Sequence, residues 1–327
     1  MSLSGMKEQA GRFWHSERGQ RLVRWVRRLF FAGIFGMLVV QLSDVGWDEI
    51  TGSLPTSPWF YLIFLVLYFS LPLSESLVYR QIWHYRYWEG LVAFLKKRVL
   101  NKDVLGYSGD VYLYLWARQK VSLSEREIRG AVKDNAIVSS AASTLFAVSV
   151  LVGLVLTGQV VWAARLAGQE LAYVAGAVLL LGLLAMVAVR FRRALFMLSG
   201  RMLGVLFAIH WSRLLLTNVL QVVQWSIVIP EADWQTWGTL LAVQIVVSRI
   251  PVLPAREWIF LGASVGISQG MDVSSAAVAG MLLVSTVLDK TLNLVFFTLS
   301  SLLARSKRPA EEADASVAGP VPAGEPV

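Results

Sequence analysis

Residues 135–164, NAIVSSAASTLFAVSVLVGLVLTGQVVWAA, run for thirty positions without a single charged side chain. Crossing the hydrocarbon core of a bilayer takes about 20 apolar residues at ~1.5 Å of rise each. This stretch exceeds that length, and its tolerance of Ser, Gly and Ala suits a helix packed among other helices. Working outward, residues 171–189 form a second uncharged run, and residues 202–230 carry only Arg213. Three such windows exclude a soluble reading. The composition agrees, with 56% hydrophobic residues and a mean hydropathy of +0.57.

Several function classes fall away at once. The chain has no cysteine, so disulfides and thiolate chemistry are excluded. His15, His84 and His210 are its only histidines and stand far apart, which argues against a metal centre or a histidine triad. Thirty Lys and Arg outnumber twenty-two acids. Most of those charges flank hydrophobic segments, which points to membrane orientation and anionic lipid rather than to nucleic acid. No cofactor is expected.

Charge asymmetry orders the spans. Residues 1–28 hold seven basic residues and read either as an interfacial helix or as a basic lead-in to the first span; a cleaved signal peptide is disfavoured. A short span over Arg28–Ser43 leads to an acidic loop, Asp44–Ser57. The next span begins at Pro58 and is expected to kink or end at Pro72. Residues 77–134 carry eleven Lys and Arg, which puts them and the N-terminus on the cytoplasmic side. Spans follow over Asn135–Trp162, Leu171–Val189, Met202–Pro230, Trp234–Ser248 and Met271–Ala304. Residues 254–270 must help the chain across yet are short and rich in Gly and Ser, so a broken or re-entrant element is expected. The expected architecture is an all-α polytopic bundle of about seven or eight spans. Its membrane domain covers 29–304, followed by a disordered cytoplasmic tail, 305–327.

Ionisable groups inside spans are costly, and by default they mark function. His210, Arg213, Thr217, Gln221 and Gln224 are spaced to share one face of an otherwise apolar helix. Such a stripe lines a cavity or hydrogen-bonds neighbouring helices. Ser285, Asp289, Asn293 and Ser300 form a similar face with Lys290 one step round. Asp289 and Lys290 are expected to seek separate partners, and Asp289 and Arg213 are candidates to pair. Two short stretches look like counterparts: GYSGDVYLYLWAR (106–118) and LPAREWIFLGAS (253–264) each place a carboxylate, Asp110 or Glu257, after turn residues. Paired broken elements point to an internal repeat with a binding site where the halves meet.

These stretches, with the basic linker QKVSLSEREIRGAVKDN (119–135) between them and a long span, resemble the transmembrane domain of the lysylphosphatidylglycerol synthase family over roughly residues 25–304. The resemblance implies a flippase-like helical bundle of a bacterial cell membrane that moves a phospholipid between leaflets, and Arg305, Lys307 and Arg308 after the last span put the C-terminus on the cytoplasmic side with the N-terminus. Asp110 and Glu257 match the family's acidic positions. The second turn departs from the family's glycine pair with Ala255-Arg256, and Lys96, Lys97 and Arg98 interrupt a segment that is usually more apolar. No aminoacyl-transferase domain follows residue 304, so synthesis of aminoacyl-lipids is not expected, and the chain is read as no enzyme.

The leading expectation is a lipid transporter. Arg213, Arg249 and Arg256 would contact an anionic headgroup. Asp110, Glu257 and Asp289 would balance those cations, bind an amino headgroup or exchange a proton, with Lys290 and Gln221 completing the polar lining. Tyr112, Tyr114, Trp116, Trp258 and Phe260 read as interfacial aromatics. Two alternatives stay open: a non-transporting membrane subunit that recruits a lipid- or envelope-synthesis partner, and, last, an intramembrane transferase.

Overall fold

The computed structural model describes residues 36–37, 39–104, 108–158, 195–249 and 256–317, all helix or short connection, with no strand among them. The elements are α1 (Trp47–Gly52), α2 (Pro58–Arg80), α3 (Tyr87–Val99), α4 (Ser108–Lys120), α5 (Glu125–Leu156), α6 (Gly200–Val228), α7 (Trp234–Arg249), α8 (Arg256–Ser268) and α9 (Ser275–Val317). Among the described residues four helices, α2, α5, α6 and α9, are long and apolar enough to cross a membrane. Leu171–Val189, the basic N-terminal segment and most of the expected first span lie outside the described residues, as do Arg190, Arg192 and Arg193.

Several helices start where local chemistry answers their orphan N–H groups. Pro58 opens α2 with no N–H to satisfy. Ser124 and Glu127 form a reciprocal capping box ahead of α5: the Glu127 N–H donates to Ser124 Oγ at 3.3 Å, and the Ser124 N–H donates to Glu127 Oε2 at 2.9 Å. Ser199 Oγ accepts the Met202 N–H at the start of α6, and Ser274 Oγ accepts that of Ala277 at the start of α9. Asp233 caps α7 by accepting the Thr236 N–H at 2.8 Å, and that backbone bond holds its carboxyl below the usual Asp range.

Three boundaries differ from expectation. Helix α2 continues past Pro72 to Arg80 rather than ending there. Proline deletes one backbone bond, but surrounding lipid offers the remaining groups no partner outside the helix, so leaving it costs more than tolerating the gap. Helix α5 begins at Glu125, so part of the basic linker joins the span as its first turns. Helix α9 continues to Val317, past Ala304 where a tail was expected to begin.

The described residues divide into two compact units, and the division passes through all four long helices. One unit draws on residues up to 62, on 149–172 and on 221–286; the other on 63–148, 173–220 and 287 onward. In the first, Trp225 stacks with Trp237 and with Phe260, with centroids 6.2 and 6.1 Å away, and Leu240, Leu261 and Val265 are also buried. Gly280 allows α9 to pass close to the α1 turn, since a Cβ there would lie 3.0 Å from the Ser53 carbonyl oxygen. In the second unit, Tyr79 stacks on Trp83 at 4.3 Å and on Phe94 at 5.4 Å, joined by Leu113, Ala117, Ile128 and Leu206.

Within the second unit α3 and α4 make a hairpin of two thirteen-residue helices, joined through a π-helical turn at Leu100–Val104. Each is ~20 Å long, short of a ~30 Å hydrocarbon core. Helix α8, also thirteen residues, is equally short. The two stretches read as short elements are therefore short helices.

Candidate functional site

The α3–α4 hairpin is where charge enters the interior. Gly109, on the first turn of α4, sits against α3 so closely that a Cβ would lie 2.2 Å from the Lys97 carbonyl oxygen. Asn101, in the π turn, seals this junction: its Oδ1 accepts the Gly109 N–H at 2.7 Å while its Nδ2 donates to Asp110 Oδ2 at 3.1 Å. Ser108 Oγ donates to the Leu100 carbonyl at 2.9 Å. A π turn presents its side chains out of step with the flanking α-helix and recurs at functional sites. Here it fixes Asp110 against α3.

Lys97 is the centre of the first network. It is buried, ion-paired with Glu75 of α2, and 3.1 Å from Asp110 Oδ1. Glu75 is also buried, beside Ser74 and Ser76. Arg213 of α6 lies within electrostatic reach of Glu75. Its Nε is buried and finds no acceptor among the described residues. One turn earlier His210 is fully buried, with Nε2 2.9 Å from Asn135 Oδ1. The Asn135 amide in turn donates to the Tyr79 hydroxyl at 3.3 Å. Asn135 Oδ1 is then an acceptor, which assigns the ring proton to Nε2 and leaves His210 Nδ1 as a lone pair with no donor among the described residues.

A second network lies in the same unit. Arg98, next to Lys97 in sequence, turns to α9 instead: its guanidinium donates to Asp289 Oδ1 and to Asn293 Oδ1, each at 2.7 Å, and covers the Tyr68 ring at 4.0 Å. Lys102 reaches the other Asp289 oxygen at 2.8 Å. Lys290 pairs with Asp103 of the π turn, and Asn293 Nδ2 donates to the same Asp103 at 2.6 Å. Asp289 and Lys290 thus take separate partners. The pairing of Asp289 with Arg213 is not formed, because Arg98 and Lys102 occupy both Asp289 oxygens.

Of the residues singled out from sequence, Asp110 and Arg213 meet around the first network, and Asp289 and Lys290 around the second. Gln221, Arg256 and Glu257 belong to the other unit. Gln221 donates to Gln224 at 2.9 Å, which donates to the Phe60 carbonyl at 2.9 Å, and Arg256 reaches the Ser248 carbonyl at 3.2 Å. The Arg249 side chain lies outside the described residues. The residues not foreseen are Glu75, Lys97, Arg98, Lys102 and Asp103. Glu75 had a signal: a carboxylate between two serines at the end of an apolar run. The lysines and arginine of α3 had one too, as cations inside a segment expected to be more apolar.

Asp134, on α5, shows what a purely structural buried acid looks like here. It is fully buried, and its Oδ2 accepts the N–H groups of Met197 and Leu198 at 2.7 and 2.8 Å, fixing the chain just ahead of α6. Arg213 has no such occupation.

No protein-family model, no curated protein and no solved structure matches this chain.

Proposed function

We propose that this protein is a multi-pass, flippase-like membrane protein that binds the anionic headgroup of a lipid at Arg213 and carries the lipid between leaflets. The observation behind this reading is Arg213 itself, a guanidinium on an apolar helix with a buried Nε that has no acceptor among the described residues. An arginine placed among membrane helices is costly unless it serves a partner, and its planar fork suits phosphate. With that position unfilled among the described residues, the natural partner is an anion that arrives from outside the fold.

The short α3–α4 hairpin and the short α8 serve in this reading as re-entrant elements of a bundle of about seven or eight spans, in which irregular backbone lines a polar path. The basic hairpin and both termini face the cytoplasm of a bacterial cell, by the excess of Lys and Arg over residues 77–134. The resemblance to the lysylphosphatidylglycerol synthase transmembrane domain points the same way.

The test is lipid movement in liposomes holding the purified protein, read with short-chain fluorescent anionic and zwitterionic lipids. Movement that depends on headgroup and is lost in Arg213→Ala and Asp289→Asn is the expected result. Movement unchanged in both variants, or none in any lipid mixture or ion gradient, overturns the reading. The second outcome favours a membrane subunit that recruits a synthesis partner.

A further inference from the structure

We propose that binding of a phosphodiester anion at Arg213 is coupled to uptake of one proton, and that Glu75 is the residue that takes it. This rests on the lipid-binding reading above and adds how the site balances its charge.

Charge must balance around Glu75 because it is buried. Among the described residues, the groups that act on Glu75 are Lys97 from α3, Asp110 from α4, Arg213 from α6 and Tyr79 of its own helix, and Tyr79 leads on through uncharged Asn135 of α5 to His210 of α6. His210 and Tyr79 count as neutral, since a buried imidazolium or phenolate with no ion partner is costly. Two carboxylates therefore stand against two cations, and the network is neutral when empty. Asp289 does not enter the sum, because Arg98 and Lys102 hold it in the second network. A phosphodiester seated on Arg213 brings one negative charge and takes Arg213 away from Glu75. The excess charge is then buried without compensation, which proteins avoid by changing protonation state.

Glu75 is better placed than Asp110 to accept the proton. Both Asp110 oxygens are served, Oδ1 by Lys97 and Oδ2 by Asn101, each at 3.1 Å. Glu75 meets Lys97 through Oε1 alone. Once Glu75 is protonated, Lys97 and Asp110 remain as a neutral pair and Arg213 and the phosphodiester form another. Protonating His210 instead sets a third cation beside Arg213 and Lys97. Glu75 thus acts as an internal stand-in for the ligand's phosphate, and the proton replaces the charge that the ligand displaces.

The test uses the full chain in a maltoside micelle, with dihexanoyl phosphatidylglycerol as the probe. Calorimetry in two buffers of different ionisation enthalpy, Hepes and Tris, counts protons exchanged per lipid bound. The expected result is about one proton taken up, with affinity rising about tenfold per unit fall in pH across the titration range. Glu75→Gln is expected to bind more tightly than the wild type at pH 8, with no uptake and no pH slope. Wild-type binding without proton exchange overturns the proposal, and that measurement needs no variant to fold. Uptake that persists in Glu75→Gln also overturns it, by moving the proton elsewhere. No probe binding, or binding that survives Arg213→Ala, removes the anion site itself and the coupling with it.

Discussion

The two units of this protein fill their interiors with different chemistry. In the unit containing the Trp225 stack, the buried polar residues among those described are Gln224, Thr236, Thr239, Ser264, Ser268 and Thr286, none of them ionisable. Where their side chains are bonded, the bonds are local or to backbone, as when Gln224 donates to the Phe60 carbonyl and Ser268 to the Val265 carbonyl. In the other unit the buried set includes Glu75, Lys97, Asp134, His210 and Asp289. Small hydroxyls let helices approach and cost little to satisfy inside a bilayer. Ion pairs cost far more to bury and break badly when one partner leaves. The second chemistry is concentrated on one hairpin and the helices it touches, with Asp134 as a structural member that accepts backbone N–H groups.

The largest effect is expected from Lys97→Ala. It strands two carboxylates, Glu75 and Asp110, in a buried site and should cost about 3–5 kcal/mol. Thermal unfolding in detergent reads the loss. Adding Glu75→Gln and Asp110→Asn to the same chain should recover most of it, because uncharged partners need no cation. In the other unit, Thr239→Val and Ser264→Ala remove hydroxyls that have no bond among the described residues and should change stability by less than about 1 kcal/mol. A large loss from either of those, or a small one from Lys97→Ala, breaks the contrast between the units.

Gly109→Ala comes next. Its Cβ would lie 2.2 Å from the Lys97 carbonyl oxygen and 2.8 Å from Asn101 Oδ1, so backbone would have to move. The expected cost is about 1–3 kcal/mol, together with loss of the Asp110 geometry that the π turn sets. Gly153, on α5 in the other unit, is the control: a Cβ there meets nothing within 4 Å. Gly153→Ala should shift stability by no more than about 1 kcal/mol. Equal effects at the two positions would mean that the hairpin is not tightly seated.

The uneven legibility of the sequence has the same physical origin. Charge-free runs are a property of one segment, so the spans now seen as α5 and α6 were readable from composition alone. Helical periodicity is equally local. The stripe on α6 was readable because spacing fixes a face, and the burial of His210 and Gln224 against the exposure of Leu215, Leu216 and Val219 bears that face out. What periodicity leaves open is which neighbour a face meets. Lys97 and Glu75 are 22 residues apart and Arg98 and Asp289 are 191 apart, and nothing in either segment names the other. Arg213 and Asp289 looked like partners only because each was a lone charge on a long span. Glu75 was passed over because it stands where an apolar run gives way to polar residues, the position of an ordinary flank.

The smallest effect tests where the Trp225 unit places a carboxylate. Asp233 sits at the exposed start of α7, and the Thr236 N–H that it accepts holds its carboxyl below the ordinary range. Asp233→Ala should cost about 0.5–1 kcal/mol at neutral pH through loss of the cap. Because the folded-state value is depressed, the carboxylate's contribution is complete above the unfolded value of about 3.9 and drains away as pH falls through the folded one. The difference in unfolding temperature between wild type and variant should therefore be full at pH 7 and shrink below pH 4. A difference that holds constant to lower pH would show that the cap works through a neutral hydrogen bond. A difference that grows on acidification would reverse the sign of the linkage. Either result would mean that ionisation at this cap does not stabilise the unit, leaving all of its stabilising charge chemistry to be found elsewhere in the fold.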